Sequence, residues 1–362
     1  MAYLAYESPN KKFCAFAKPQ NPLSLPLITL LMKNFAYLLV LLIATSCGPS
    51  LTKKEKRIAE MMQNLTSLEI PTSSSIQIAE DVTYLASDEL EGRNTGTEGI
   101  EKAATFIENR FKTLGIDPFY ETYRDEFDYK NNKAFNVVGM LPGSDGFLNK
   151  EVVVIGAHYD HIGRIAAVNG DSIANGANDN ATGTASVLSL AKILKQLDFN
   201  RRTVVFALFS AEEKGLLGSK HLANRMKKEG QNVVAVLNFE MTGTPMVDRP
   251  YIAYLTGYDT SNMGEVFNSS NTKRTVTGKL DKAAEFNLFM RSDNYPFHQV
   301  YGVPSQTFST FDFTNFDHYH KVGDEANKID ARHMADVVDA VMPGVLNVLN
   351  KNDLQLTAEG NE

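Results

Sequence analysis

Cysteine is nearly absent: Cys14 and Cys47 are the whole supply in 362 residues, which excludes a disulfide framework. Positive charge is also short. Against 43 Asp and Glu stand 36 Lys and Arg, a net charge of −7, so the basic surplus that marks nucleic-acid binding is missing. No internal repeat and no low-complexity tract occurs. The apolar run FAYLLVLLIA, Phe35 to Ala44, rises only about 15 Å as a helix, half the hydrocarbon thickness of a bilayer, so it is not a membrane span. What remains is ordinary for a folded protein. Hydrophobic residues make up 43% and charged residues 22%, which excludes a disordered chain, a collagen or a long coiled coil and leaves enough apolar surface for a sizeable core.

The short run has the flanks of an export signal. Lys33 and Asn34 precede it, and Ala44-Thr45-Ser46-Cys47-Gly48 follows it. Small residues before a lone cysteine resemble the lipobox of bacterial lipoproteins. That implies a lipid on Cys47, which would be the sole membrane contact of a protein exported to the cell envelope, facing the periplasm or the cell surface. Met32 is the better start, and residues 1–31 read as an upstream extension. Residues 1–47 then form the signal region, 48–75 a tether, 76–350 one domain and 351–362 a tail.

Within 76–350 the hydrophobic periods alternate. Helical spacing marks Ile76 to Ala86, Gly99 to Leu114, Ala181 to Leu197, Glu213 to Glu229 and Arg332 to Asn350. Near-continuous apolar runs mark strands at Phe135 to Leu141, Glu151 to Ala157, Thr203 to Phe209, Val233 to Phe239 and Tyr251 to Leu255. The turn-rich Pro142-Gly143-Ser144-Asp145-Gly146 predicts a hairpin between the first two strands. The alternation predicts a three-layer α/β/α sandwich on a mixed, largely parallel sheet.

Acids and histidines stand where these strands end, the edge at which open α/β sheets bind ligands. His158 ends an apolar strand, and Asp160, two residues on, points the same way, as a carboxylate orienting a metal-bound imidazole would, although taken alone the pair reads better as a core histidine with an incidental neighbour. Asp179 sits in a polar loop entering a helix, where it could equally be a cap. Glu212 and Glu213 end another strand and start a helix; side by side at the sheet they would repel unless a cation lies near. Glu240 ends a fourth strand, and His318 and His320 lie in a loop before the last helix. Histidine and carboxylate donors suit zinc, and five ligands with one bridging carboxylate fit a two-metal hydrolase. His161, His221, His298 and His333 lack such a pattern and are expected at the surface or behind the ligands. Phe311, Phe313 and Phe316 fit a substrate pocket or the core equally well.

From Leu85-Ala86-Ser87-Asp88-Glu89-Leu90-Glu91-Gly92-Arg93 to about Asp330, the chain resembles the di-zinc aminopeptidases, a family related to glutaminyl cyclases and to the transferrin receptor ectodomain. The resemblance implies a peptide substrate and two zinc ions. It places His158 and Glu213 on one zinc and His320 and Glu240 on the other, with Asp179 bridging. It implies Glu212 as general base and Asp160 as the group orienting His158. His320 is preferred to His318 from its place before the Lys321 turn and Asp324. The peptide bond after Asp179 is expected to be cis. Arg291-Ser292-Asp293-Asn294-Tyr295-Pro296-Phe297 matches a substrate-side loop, with Asn294 where histidine is frequent. Residues 256–290 are expected to form a rim near the site, and the short connection from Leu114 to Phe135 leaves no room for an inserted protease-associated domain. The expected reaction is removal of N-terminal residues, on a scaffold that also carries dipeptidases and carboxypeptidases. A single-zinc glutaminyl cyclase shares the acids and the His-x-Asp, but Ser210-Ala211-Glu212-Glu213-Lys214-Gly215-Leu216-Leu217-Gly218-Ser219 has the peptidase form. A receptor-like binding module would have lost ligands that are all present here.

Overall fold

The computed structural model describes residues 68–351 and 354–361, together with 56 and 60; the export signal, Met32 and Cys47 lie outside the described residues. Among the described residues no helix is long and apolar enough to cross a membrane. The strands are β1 (Asp117–Pro118), β2 (Arg124–Tyr129), β3 (Asn132–Leu141), β4 (Glu151–His158), β5 (Gly163–Val168), β6 (Asp171–Ala174), β7 (Thr203–Phe209), β8 (Asn232–Glu240), β9 (Ala253–Leu255), β10 (Thr277–Gly278) and β11 (Ser305–Ser309). The helices are α1 (Ser75–Leu85), α2 (Glu98–Leu114), α3 (Thr182–Leu197), α4 (Leu217–Lys228), α5 (Met263–Ser270), α6 (Asp281–Glu285), α7 (Asn294–Tyr301) and α8 (Ala331–Asn350).

Nine strands form one sheet in the order β1-β3-β7-β4-β8-β11-β9-β10, with β2 paired to β3; β5 and β6 form a separate ribbon. The centre, β7-β4-β8-β11, is parallel, and β3 joins it antiparallel. The central strands are apolar on both parities because both faces are covered. On β4 and β7, Val153, Ile155, Ala157, Val204, Phe206 and Leu208 face a core shared with α1, α2, α3, α5 and α8. Val152, Val154, Val205, Ala207 and Phe209 face the smaller core under α4 and α7. This is the three-layer sandwich the periodicity predicts.

Two local expectations fail. No hairpin joins β3 to β4, because β7 lies between them. Their connecting loop instead fastens the entry to β7: Ser144 N–H donates to Asn200 O at 3.1 Å, and the Arg201 guanidinium grips the Asp145 carboxylate at 2.6 and 2.9 Å. The real hairpin is β2–β3. It turns through Lys130-Asn131, with Lys130 in the left-handed region (φ 52) and no glycine to announce it. Helix α4 also starts four residues later than its period suggests. Leu216 is left-handed (φ 62), so Glu212 and Glu213 stay in a loop and not in the helix.

One buried cation ties the layers together. Arg93 is fully buried and donates to four backbone carbonyls: Tyr159 at 2.8 Å, Asn175 at 2.6 Å, Gly176 at 2.8 Å and Leu85. It can reach them because Glu91, Gly92 and Arg93 are all left-handed, a tight coil that leaves no space at Gly92, where a Cβ would lie 2.2 Å from Ala174 O. Replacing Arg93 by Met keeps the bulk but leaves those carbonyls unpaired. Arg93→Met should lower the unfolding free energy by about 3 kcal/mol or more. An unchanged urea midpoint and slope would contradict this role for Arg93.

Candidate metal centre

Parallel strands send their carboxyl ends to one edge, and the predicted residues arrive there together. β4 ends in His158, β8 ends in Glu240, and β7 runs into Ser210-Ala211-Glu212-Glu213. Asp179 comes from the loop before α3 and His320 from the loop before α8. Ala211, Met241 and His320 have φ of 57, 50 and 56, so the chain is left-handed at three of these turns. Such costly conformations persist where surrounding structure enforces them, and functional sites are where they gather.

Asp179 faces two ways. Its Oδ1 lies 3.4 Å from His158 Nε2, and its Oδ2 lies 3.0 Å from His320 Nε2 and 3.7 Å from His161 Nδ1. Glu213 Oε1 lies 3.2 Å from His320 Nε2 and 3.1 Å from His161 Nδ1. The expected pairing is therefore reversed: Glu213 keeps company with His320, not with His158. The left-handed turn at Ala211 swings Glu213 to the Oδ2 side of Asp179. Glu240 is held by a hydrogen bond from Ser292 Oγ, and its charge bears on His158. His161, Asp179, Glu213 and His320 bring one donor atom each within 4.8 Å of one another, a grouping able to hold a cation. His318 stays outside it, against Phe316.

Of the two places expected for His161, the surface or behind the ligands, the first is excluded: it is fully buried and beside Asp179 and Glu213. Its signal was its position, three residues after His158 in His-Tyr-Asp-His. Asp160 also acts differently from expectation. His158 Nδ1 meets the backbone oxygen of Asp160 at 3.2 Å, while the Asp160 carboxylate is 3.8 Å away, too far for a hydrogen bond. That carboxylate accepts from Glu212 N–H and from Thr95 Oγ1, both at 3.1 Å, and so fixes the loop that carries Glu212.

The Asp179 loop is fastened as firmly. The Asp179–Asn180 bond is cis, as expected. Asn180 donates to Phe239 O at 3.0 Å and accepts from Gly183 and Met241 N–H. The Asp324 carboxylate accepts from Asn178 N–H at 2.7 Å and from Asp179 N–H at 3.1 Å. Asn294 serves structure: it donates to Phe289 O and Ser305 O and accepts from Thr307 Oγ1.

So many acids in one buried place perturb each other. Burial pushes Asp160 up to about 6 and Asp293 and Asp324 up to about 7. Burial and the charges of Glu240 and Asp293 push Glu212 well above the usual carboxylate range. Burial works the same way on Glu213, but its contacts with His161 and His320 outweigh it and hold the acid at about 2. His320 is raised to about 10, against its burial, by Asp179 and Glu213, whereas burial lowers His161. Imidazole nitrogens and carboxylates are zinc donors, and the residues fit that ion, which would take the place of the proton that Asp179 and Glu213 otherwise hold on His320.

Beside the acids opens a cavity of ≈ 400 Å³. Glu212, Glu213 and Glu240 line one side; Tyr254, Leu288, Met290, Phe311 and Phe313 line the other. Leu288 and Met290 come from the polar segment expected to form a rim, and Phe316 packs behind with Met241 and Phe311.

Comparison with known proteins agrees with this fold. The model of peptidase family M28 matches residues 136–345. A probable leucine aminopeptidase of Arthroderma otae is 26% identical over 307 residues, covering 82% of this chain and 78% of that protein. Against two further relatives of that name the match spans 55% of their length. Among solved structures, a zinc aminopeptidase of Bacillus subtilis superposes with a TM-score of 0.61 at 17% identity, covering 79% of this chain and 97% of that one. A glutaminyl cyclase of Bacteroides thetaiotaomicron reaches 0.56 at 16%, covering 79% and 100%. At such identities these two likenesses are of fold alone.

Asp324 holds the Asp179 backbone without being a donor in the cluster. Asp324→Ala should therefore weaken zinc binding by roughly 10–100-fold, as loss of groups behind metal ligands commonly does. Chelator competition measures this, and an affinity within threefold of the parent would count against it.

Proposed function

The chain belongs to peptidase family M28, and on that premise we propose that it is a zinc-dependent aminopeptidase that binds two ions and removes N-terminal residues from peptides. The observation that carries the reading is the carboxylate of Asp179, whose two oxygens face different imidazoles beside an apolar cavity. One ion would lie among Asp179, Glu213 and His320, the other among Asp179, His158 and Glu240. When bound, zinc supplies Lewis acidity that polarises a peptide carbonyl and acidifies water.

The remaining work falls to the chain. Glu212 lines the cavity and is not part of the four-residue donor grouping. Its backbone N–H is pinned by Asp160, so its carboxylate is presented from a fixed loop. Burial raises its proton affinity, which suits a group that must take a proton from the attacking water and return it to the departing amine. Tyr254, Phe311, Leu288 and Met290 offer an apolar wall to the first side chain of the substrate, which favours large apolar N-terminal residues.

The same proposal includes export and a lipid on Cys47, supported by the short apolar run and the small residues before the cysteine. Metabolic labelling with palmitate, lost in Cys47→Ser, checks it; an unlabelled parent would refute it.

Glu212→Gln should keep the fold and the zinc but lower kcat on a leucyl peptide by about a hundredfold or more, the lower bound for a general base. Mass spectrometry identifies the product. Activity within tenfold of the parent would remove Glu212 from this role, and ring closure of an N-terminal glutamine with ammonia release would replace the peptidase reading with a cyclase.

A further inference from the structure

His161 carries an observation the reaction above does not use. The side chain is fully buried, yet neither ring nitrogen has a hydrogen-bond partner. A core histidine is ordinarily satisfied, because an unpaired buried polar group is costly. Nor does packing alone explain its placement. The ring lies over Gly176, where a Cβ would sit 2.4 Å from His161 Cγ, so the chain gives up a side chain there to admit the imidazole.

The direction of the contacts decides what the ring does. His161 Nδ1 is 3.1 Å from Glu213 Oε1 and His320 Nε2 is 3.2 Å from the same oxygen, but Glu213 Oε1 has no hydrogen-bond partner. Close approach without hydrogen-bond alignment is what donor atoms show when each points at a common centre and not at its neighbour. We infer that His161, through Nδ1, is a further ligand of the cation site formed by Asp179, Glu213 and His320.

This inference rests on the metallopeptidase reading of the same site, and it changes the character of the pair. One ion would have two imidazoles and two carboxylates, a full tetrahedral set for zinc. The other would have one imidazole, His158, with Asp179 and Glu240, and would keep room for water and substrate. The two ions would then differ in affinity, and chelators would strip the His158 site first.

The test uses the full chain loaded with Co²⁺, in which each ligating imidazole gives one exchangeable, hyperfine-shifted N–H proton resonance. The parent is expected to show three, from His158, His161 and His320, and His161→Phe two. Chelator competition should show one of the two ions bound at least roughly tenfold more weakly in the variant, since loss of a direct ligand should exceed the lower bound for groups behind ligands. His161→Gln serves the same measurement should the Phe variant fail to fold. A parent that binds two ions but shows only two resonances, or variants with unaltered affinities, would overturn the assignment of His161 alone. A parent that binds no metal would overturn the metallopeptidase reading and this inference with it.

Discussion

Carboxylates repel, and this fold gathers Asp160, Asp179, Glu212, Glu213, Glu240, Asp293 and Asp324 at one edge of one sheet. That crowding is the constraint on which the rest depends. In a low-dielectric interior, like charges at such spacing either take up protons or find a cation. One fully buried cation, Arg93, feels Asp324, Asp179, Asp160 and Glu213 together. Its guanidinium is spent on backbone carbonyls, so it holds the loops in place but cannot neutralise the acids that face the cavity. The raised proton affinities of Asp160, Glu212, Asp293 and Asp324 are the remaining imbalance. Metal ions at Asp179 would remove it.

The supporting structure makes sense in the same terms. Three of the acids at the edge are fixed by hydrogen bonds they accept: Asp160 from Glu212 N–H, Asp324 from Asn178 and Asp179 N–H, and Glu240 from the Ser292 hydroxyl. Left-handed turns at Ala211, Met241 and His320 set directions that a plain strand end could not. A site so fixed can aim its donors at an ion without reorganising, which is what catalysis by positioned charge requires.

Much of this was legible in the chain. The core strands announced themselves as unbroken apolar runs, and Thr203–Phe209 was bounded to the residue. His158, Glu212, Glu213 and Glu240 were found because each follows such a run, whereas Asp179 lies in a polar loop entering a helix. What failed was long-range or torsional. Strand order is not written in local turn chemistry, so β7 could slip between β3 and β4 behind a loop that looked like a hairpin. The pairing of Glu213 with His320 depends on the φ of Ala211, and alanine does not advertise a left-handed conformation. His161 looked unremarkable because its partners come from three separate segments, and only folding brings them to it.

The central claim is that Asp179 joins two metal sites. Elemental analysis of the purified chain after zinc loading and gel filtration tests it most directly, in the parent and in Asp179→Ala. The account predicts two zinc ions per parent chain and none held at comparable affinity by the variant. A single ion in the parent, or two ions retained without Asp179, would contradict it.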